Sequence, residues 1–290
     1  MKCNLNDESI ESIIQSNFFS SLSFSDDREK NVFLSYIKVF NLILFDLNVK
    51  NILEIGSGQS TLLLANLSKR TNINVATIDM NKDAFINKIR SLSLSEIVSK
   101  QIKFIIGRSI PIEMIKTYYE DSILKISDLN LEHVLKFSED FIDTSLDGRK
   151  ANMVVDALKL ESFNPFEIIK KLSSNKHIPK ELLAVYRGQN DDEFNFSYEA
   201  NTRCNCLEDC LKEMQPEVVF LDGGEFSSMI EWEIVSRNMQ KGNYVILHDI
   251  LFPKSIKNWL VASSIKAKDD YEIIYLDKST PQGILVAKKV

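Results

Sequence analysis

Residues 51–67, NILEIGSGQSTLLLANL, run apolar for the length of one strand, break at two glycines and resume with helical spacing. The segment reads as strand, turn, helix. Gly56 and Gly58 let the backbone turn sharply and come close to a ligand, with Ser57 between them. Ser60 or Thr61 can cap the helix whose positive end faces that ligand. Such a turn serves a dinucleotide or another adenosine cofactor, and two positions separate the cases. A dinucleotide fingerprint places a third glycine where this chain has Thr61. It also usually runs apolar up to the first glycine, where this chain carries Glu54.

About twenty residues on, INVATIDMN (73–81) puts Asp79, followed by Met80, at the end of a second β-branched run. From that position in a doubly wound fold a carboxylate accepts both ribose hydroxyl protons. Further apolar runs occur at 102–107 (IKFIIG), 217–222 (EVVFLD), 243–249 (NYVILHD), 271–277 (YEIIYLD) and 283–289 (GILVAKK). Most follow a helix-like segment, which predicts β-α units and a mostly parallel sheet covered on both faces. Only KSTPQ (278–282) separates the last two, too short for a crossover helix, so they form an antiparallel hairpin at the sheet's end.

The segment E54-I-G-S-G-Q-S60 resembles motif I of the class I S-adenosylmethionine-dependent methyltransferases, with Ser60 in place of that family's frequent third glycine. Seven strands with a terminal hairpin also resemble that family's Rossmann-like sheet, in which the last strand inserts antiparallel. The resemblance implies S-adenosyl-L-methionine as cofactor. It implies Gly56 and Gly58 beside the methionine moiety, Glu54 orienting the loop and Asp79 on the ribose. Gly107, Arg108 and Ser109 are expected near the adenine, and Ser57, Ser60 and Met80 complete the cofactor-binding candidates.

Composition fits an ordinary soluble enzyme: 44% hydrophobic and 26% charged over 290 residues is enough for one sizeable core plus additions. A net charge of -6 argues against nucleic acid, which calls for a basic face. No stretch approaches the roughly 20 apolar residues of a membrane span. MKCNLNDESIESII has neither a basic leader region nor an apolar signal core, so the expected location is cytoplasmic. Cys3, Cys204, Cys206 and Cys210 fit a reducing compartment. The cluster R203-C-N-C-L-E-D-C210 lacks paired C-x-x-C spacing and a nearby His, and reads as free thiols rather than zinc ligands.

Residues 1–48 form a helical extension ahead of the methyltransferase domain at 49–290. Ile10, Ile13, Ile14, Phe18, Phe33, Ile37, Phe40, Ile43 and Leu44 stand at helix-like spacing in it, to pack on the core or on a second subunit. A long, mostly helical insertion at about 109–203 separates the third strand from the helix near Cys204. Such a segment serves as a lid over the substrate or as a contact in a homo-oligomer.

Acceptor chemistry falls to the loops after strands four and five. Asp222 ends the fourth strand and is followed by G223-G-E-F-S-S-M, with Glu225 three residues on; His248 and Asp249 end the fifth. Here the sequence resembles the metal-dependent O-methyltransferases of the catechol type and of the type that modifies macrolide sugars. That resemblance implies Asp222 and Asp249 as ligands of a magnesium ion bound to the acceptor's hydroxyls. His248 replaces an acid of the sugar-modifying enzymes, and Ile250 replaces an amide of the catechol type. Asp222, His248 and Asp249 suit a softer ion such as manganese as well as magnesium. A metal-free site would use His248 or Glu225 as general base, beside Asp222. The expected reaction is methyl transfer to a hydroxyl of a small polar acceptor, a sugar or specialised metabolite. The alternatives are a metal-independent N- or C-methyltransferase and a silent cofactor-binding scaffold of the same fold, with an NAD enzyme disfavoured by Glu54 and Thr61.

Overall fold

The computed structural model describes residues 22, 24, 26–44, 49–80, 100–120, 136–137, 139–141, 203–224, 227–252, 258–280 and 282–290. The apolar positions Ile10, Ile13, Ile14 and Phe18 of the extension, most of the 109–203 insertion, and Glu225 lie outside them.

The described elements run α1 (Asp27–Leu44), β1 (Asn51–Ile55), α2 (Gln59–Arg70), β2 (Asn74–Asp79), β3 (Ile102–Ile106), α3 (Ile112–Glu120), a 3-10 turn (Glu139–Phe141), α4 (Cys206–Met214), β4 (Val218–Leu221), α5 (Ser228–Asn238), β5 (Tyr244–His248), α6 (Trp259–Ala267), β6 (Tyr271–Asp277) and β7 (Ile284–Lys289). The seven strands form one sheet in the order β3-β2-β1-β4-β5-β7-β6. β1 through β5 pair in parallel, and β7 enters antiparallel between β5 and β6. This is the doubly wound sheet with an antiparallel terminal hairpin that the sequence predicts. Among the described residues no helix is long and apolar enough to cross a membrane.

The central strands read as continuous apolar runs because both faces are covered. Alternate residues supply two cores. On one face Leu53, Ile55, Ala76, Ile78, Val219, Leu221, Val245 and Leu247 join Leu207 and Leu211 of α4, Trp232 of α5 and Trp259 of α6. On the other, Ile52, Val75, Val218, Phe220 and Ile246 join Phe33, Ile37, Phe40 and Ile43 of α1 and Leu63, Leu64 and Leu67 of α2. The apolar positions of α1 recur at i, i+3, i+4 and i+7, so one stripe lies along β4 and β5. The rings of Tyr36 and Phe40 meet Phe220 edge-on at 5.8 and 6.1 Å. Helix α1, the described part of the extension, thus packs on the core of its own chain.

Two joints set the shape of the sheet's carboxyl edge. Gly107 pairs with Arg203 in a parallel bridge, and the Cys206 and Leu207 amides donate to the carbonyls of Arg108 and Ser109. The two ends of the long insertion therefore meet beside β3. At the far side, the Phe252 amide donates to the Phe141 carbonyl, docking the 3-10 turn of that insertion against the loop after β5.

Candidate functional site

The turn after β1 holds its shape through Glu54. This carboxyl is fully buried on the face covered by α2, and accepts hydrogen bonds from Ser60 Oγ (2.6 Å), Thr61 Oγ1 (2.7 Å) and Thr77 Oγ1 (2.7 Å). Thr61 Oγ1 in turn accepts the Gly58 amide at 2.9 Å. The residue at the third glycine position of a dinucleotide fingerprint is thus a hydroxyl that ties the helix start to the strand. Burial raises the Glu54 carboxyl to about 7; the three hydroxyls pull the other way, and nearby Asp222 adds to the rise. Gly56 has φ +88, and a Cβ there would lie 2.2 Å from the Asp222 carbonyl oxygen. Only glycine allows the β1 and β4 ends to abut this closely.

Against this turn lies a cleft of about 320 Å³ at the carboxyl ends of β1 to β4. Gly56, Ser57, Asp79, Met80, Gly107, Arg108 and Ser109 all line it, as do Asp222 and Gly223. Seven of the ten cofactor-binding candidates named from sequence are therefore brought together. Glu54, Gly58 and Ser60 are not on its wall. Glu54 and Ser60 sit behind the turn, and Gly58 has an extended backbone with open space where a Cβ would be. Asp79 Oδ2 accepts the Ser57 amide at 2.7 Å and also the Ser57 hydroxyl, so the acid that ends β2 is fixed to the turn that follows β1.

The second group stands where β4 and β5 end. His248 Nδ1 lies 3.4 Å from Asp222 Oδ1 and 3.6 Å from Asp249 Oδ1, and one ligand atom from each of the three falls within 4.8 Å of the others. Asp249 adopts φ 60, a left-handed conformation that Asp tolerates better than most residues. Asn258, at the start of α6, donates to the carbonyls of Leu221 (2.8 Å) and His248 (2.6 Å) and so clips the two strand ends together. Two carboxylates and an imidazole at this spacing fit a divalent ion; the nitrogen favours a softer metal than magnesium. Ile250 is fully buried, its side chain against Gly283, and is a core residue.

Three residues of the site carry no signature in the sequence. Tyr36 reaches the acidic group from α1: its hydroxyl bonds Asp222, its ring stands 5.1 Å edge-on from His248, and burial followed by the charges of Asp222 and Asp249 drives its pKa well above 10. A tyrosine on the apolar stripe of a helix reads as core, so spacing gives no warning. Asn258 looks like an ordinary loop residue. Glu231 sits among apolar residues of α5 and lines the cleft.

Cys206 and Cys210 are buried on α4 and Cys204 is exposed, all as free thiols. Burial raises the thiol pKa of both buried cysteines, that of Cys210 to about 11. They are packing residues with little thiolate character.

No family model and no curated protein matches the chain. Among solved structures, an O-methyltransferase from Bacillus cereus in complex with SAH aligns at TM-score 0.41 and 12% identity, covering 100% of this chain and 94% of that one. The O-methyltransferase TomG from Streptomyces achromogenes, involved in tomaymycin synthesis and solved with SAM, aligns at TM-score 0.40 and 12% identity, covering 98% and 90%.

Proposed function

We propose that the chain is an S-adenosylmethionine-dependent methyltransferase acting on a hydroxyl of a small polar acceptor. The observation that carries this reading is the cleft. The glycine turn after β1, the acid ending β2, the residues after β3 and the acid ending β4 converge there at the carboxyl edge, where open α/β sheets bind ligands. The turn lies by the methionine moiety, Asp79 accepts the ribose hydroxyls, and the residues after β3 border the adenine.

The sulfonium already makes the methyl group electrophilic. The protein has only to align nucleophile and methyl, exclude water and take one proton. Asp222 forms part of the cleft's wall and His248 and Asp249 stand beside it, in place to bind the acceptor and take that proton. A divalent ion held by the three would lower the acceptor hydroxyl's pKa; without it, His248 or Glu225 is the base. The described residues of the 109–203 insertion join the carboxyl edge beside Gly107 and Phe252, which supports reading that segment as the acceptor's cover.

Calorimetry tests the cofactor. S-adenosylhomocysteine is expected to bind and NAD is not, and Asp79→Ala is expected to lose about 1–3 kcal/mol of that affinity, because buried ribose hydroxyls lose their acceptor. Binding of NAD in preference, or an unaltered affinity in Asp79→Ala, overturns the reading. For the metal, activity is expected to vanish on chelation and return with manganese or magnesium. Activity that survives exhaustive chelation assigns the proton to His248 or Glu225 instead.

A further inference from the structure

We propose that Tyr36, carried on α1, is a positioning residue of the acceptor centre: its hydroxyl sets the direction in which the Asp222 carboxylate meets a divalent ion. This rests on the metal reading above and brings a helix from outside the sheet into that site.

Alternation carried one residue past the end of β4 puts Asp222 on the face of Phe220, which is the face that α1 covers. The stripe of α1 runs through Phe33, Tyr36, Ile37 and Phe40 at helical spacing, so Tyr36 meets that face about one turn before Phe40. Its ring stands 5.8 Å from Phe220 and 5.1 Å from His248, edge-on to both. Two aromatic contacts and an exposure of 4% leave the ring little room to turn. The hydroxyl is thereby carried past Phe220 to Asp222, which it bonds.

A carboxylate benefits from such a partner. The last torsion of an Asp side chain is broad and roughly two-fold, so its rotamer alone does not hold the two oxygens in one direction. A metal ligand must be deprotonated and an ionised carboxylate only accepts, so with an ion bound the phenol is the donor. Holding Asp222 from α1 also holds its approach to His248, whose Nδ1 lies 3.4 Å from Asp222 Oδ1 and whose ring rests on the same tyrosine. Asn258 ties the backbones of the two strand ends; Tyr36 orients the side chains they carry. Loss of a hydrogen-bond partner behind a metal ligand commonly costs about ten- to a hundredfold in metal affinity.

The test is calorimetry of the full chain with manganese chloride and, separately, with S-adenosylhomocysteine, on the parent, Tyr36→Phe and Phe40→Leu. Tyr36→Phe keeps the ring and removes only the hydroxyl. It is expected to raise the manganese dissociation constant by about tenfold or more and to leave S-adenosylhomocysteine affinity within about twofold of the parent's, since Tyr36 is not on the cleft wall. Phe40→Leu trims a core ring of the same helix that also meets Phe220. It is expected to lower the melting temperature while manganese affinity stays within about twofold. An unaltered manganese affinity in Tyr36→Phe, or an equal loss in Phe40→Leu, overturns the inference and leaves the metal reading standing. A Tyr36→Phe chain that loses both ligands, or its fold, marks a structural hydroxyl and also overturns it. A parent that binds S-adenosylhomocysteine but no manganese overturns the metal reading and this inference with it. Should Phe40→Leu not fold, the contrast between the two ligands in Tyr36→Phe decides alone.

Discussion

Glu54 takes its hydrogen bonds from hydroxyls, which favour the ionised form less than a cation would, and burial prevails. The folded chain then holds the Glu54 proton more tightly than the unfolded chain does. Its contribution to stability is complete below about pH 4.5 and is lost as the pH rises to about 7. A rise from 4.5 to about 7 corresponds to about 3 kcal/mol. Glu54→Gln removes this titration, so chemical denaturation at pH 5 and pH 8 is expected to show a pH dependence weaker than the parent's by about 2–3 kcal/mol. An identical pH dependence in parent and variant would rule out a buried, protonating Glu54. The acid-x-Gly-x-Gly spacing marks Glu54 in the sequence, but it does not mark its partners. Thr77 lies on the next strand, and only the β1–β2 register of Glu54 with Thr77 brings the hydroxyl to the carboxyl. Tyr36 and Glu231 escape a reading of the sequence for the same reason, since pairing across elements leaves no local period.

Gly107 and Gly58, each in a turn that follows a strand, are physically unlike. Gly107 sits at φ +156, with the Arg203 carbonyl oxygen 2.4 Å and the Cys206 sulfur 2.7 Å from where a Cβ would be. Gly58 is extended and faces open space. Gly107→Ala is expected to lower stability by about 1–3 kcal/mol from the backbone alone, with more from the clash, and to loosen the start of α4. Gly58→Ala is expected to stay within about 1 kcal/mol of the parent. Paired thermal melts check this, and equal losses would contradict the geometry. The strands themselves are legible in the sequence, because residues buried on both faces leave unbroken apolar runs, and the short KSTPQ link dictates a hairpin. The metal-like group is legible only as strand-end acids. That Asp222, His248 and Asp249 meet depends on Asn258 clipping β4 to β5, and Asn258 lies ten residues beyond His248.

At the scale of the molecule, α1 and α2 share one core and α4, α5 and α6 the other. Removing residues 1–44 would bare Phe220 and Ile246 on the central strands. Such a chain is expected to be insoluble or molten, as read by solubility and near-ultraviolet circular dichroism; a soluble chain with a sharp melt would show that α1 is an accessory. The sequence pattern of α1 shows that it has an apolar face but not which strands that face covers, because amphipathic spacing names no partner. The order of the sheet also bears on synthesis. β7 is the last strand in this sequence, yet it lies between β5 and β6. Until its six residues emerge, β5 presents a bare parallel edge and β6 has nothing to pair with. The nascent polypeptide therefore carries an adhesive strand border from the synthesis of β5 until β7 emerges, and the sheet is completed by the threading of β7 into that gap.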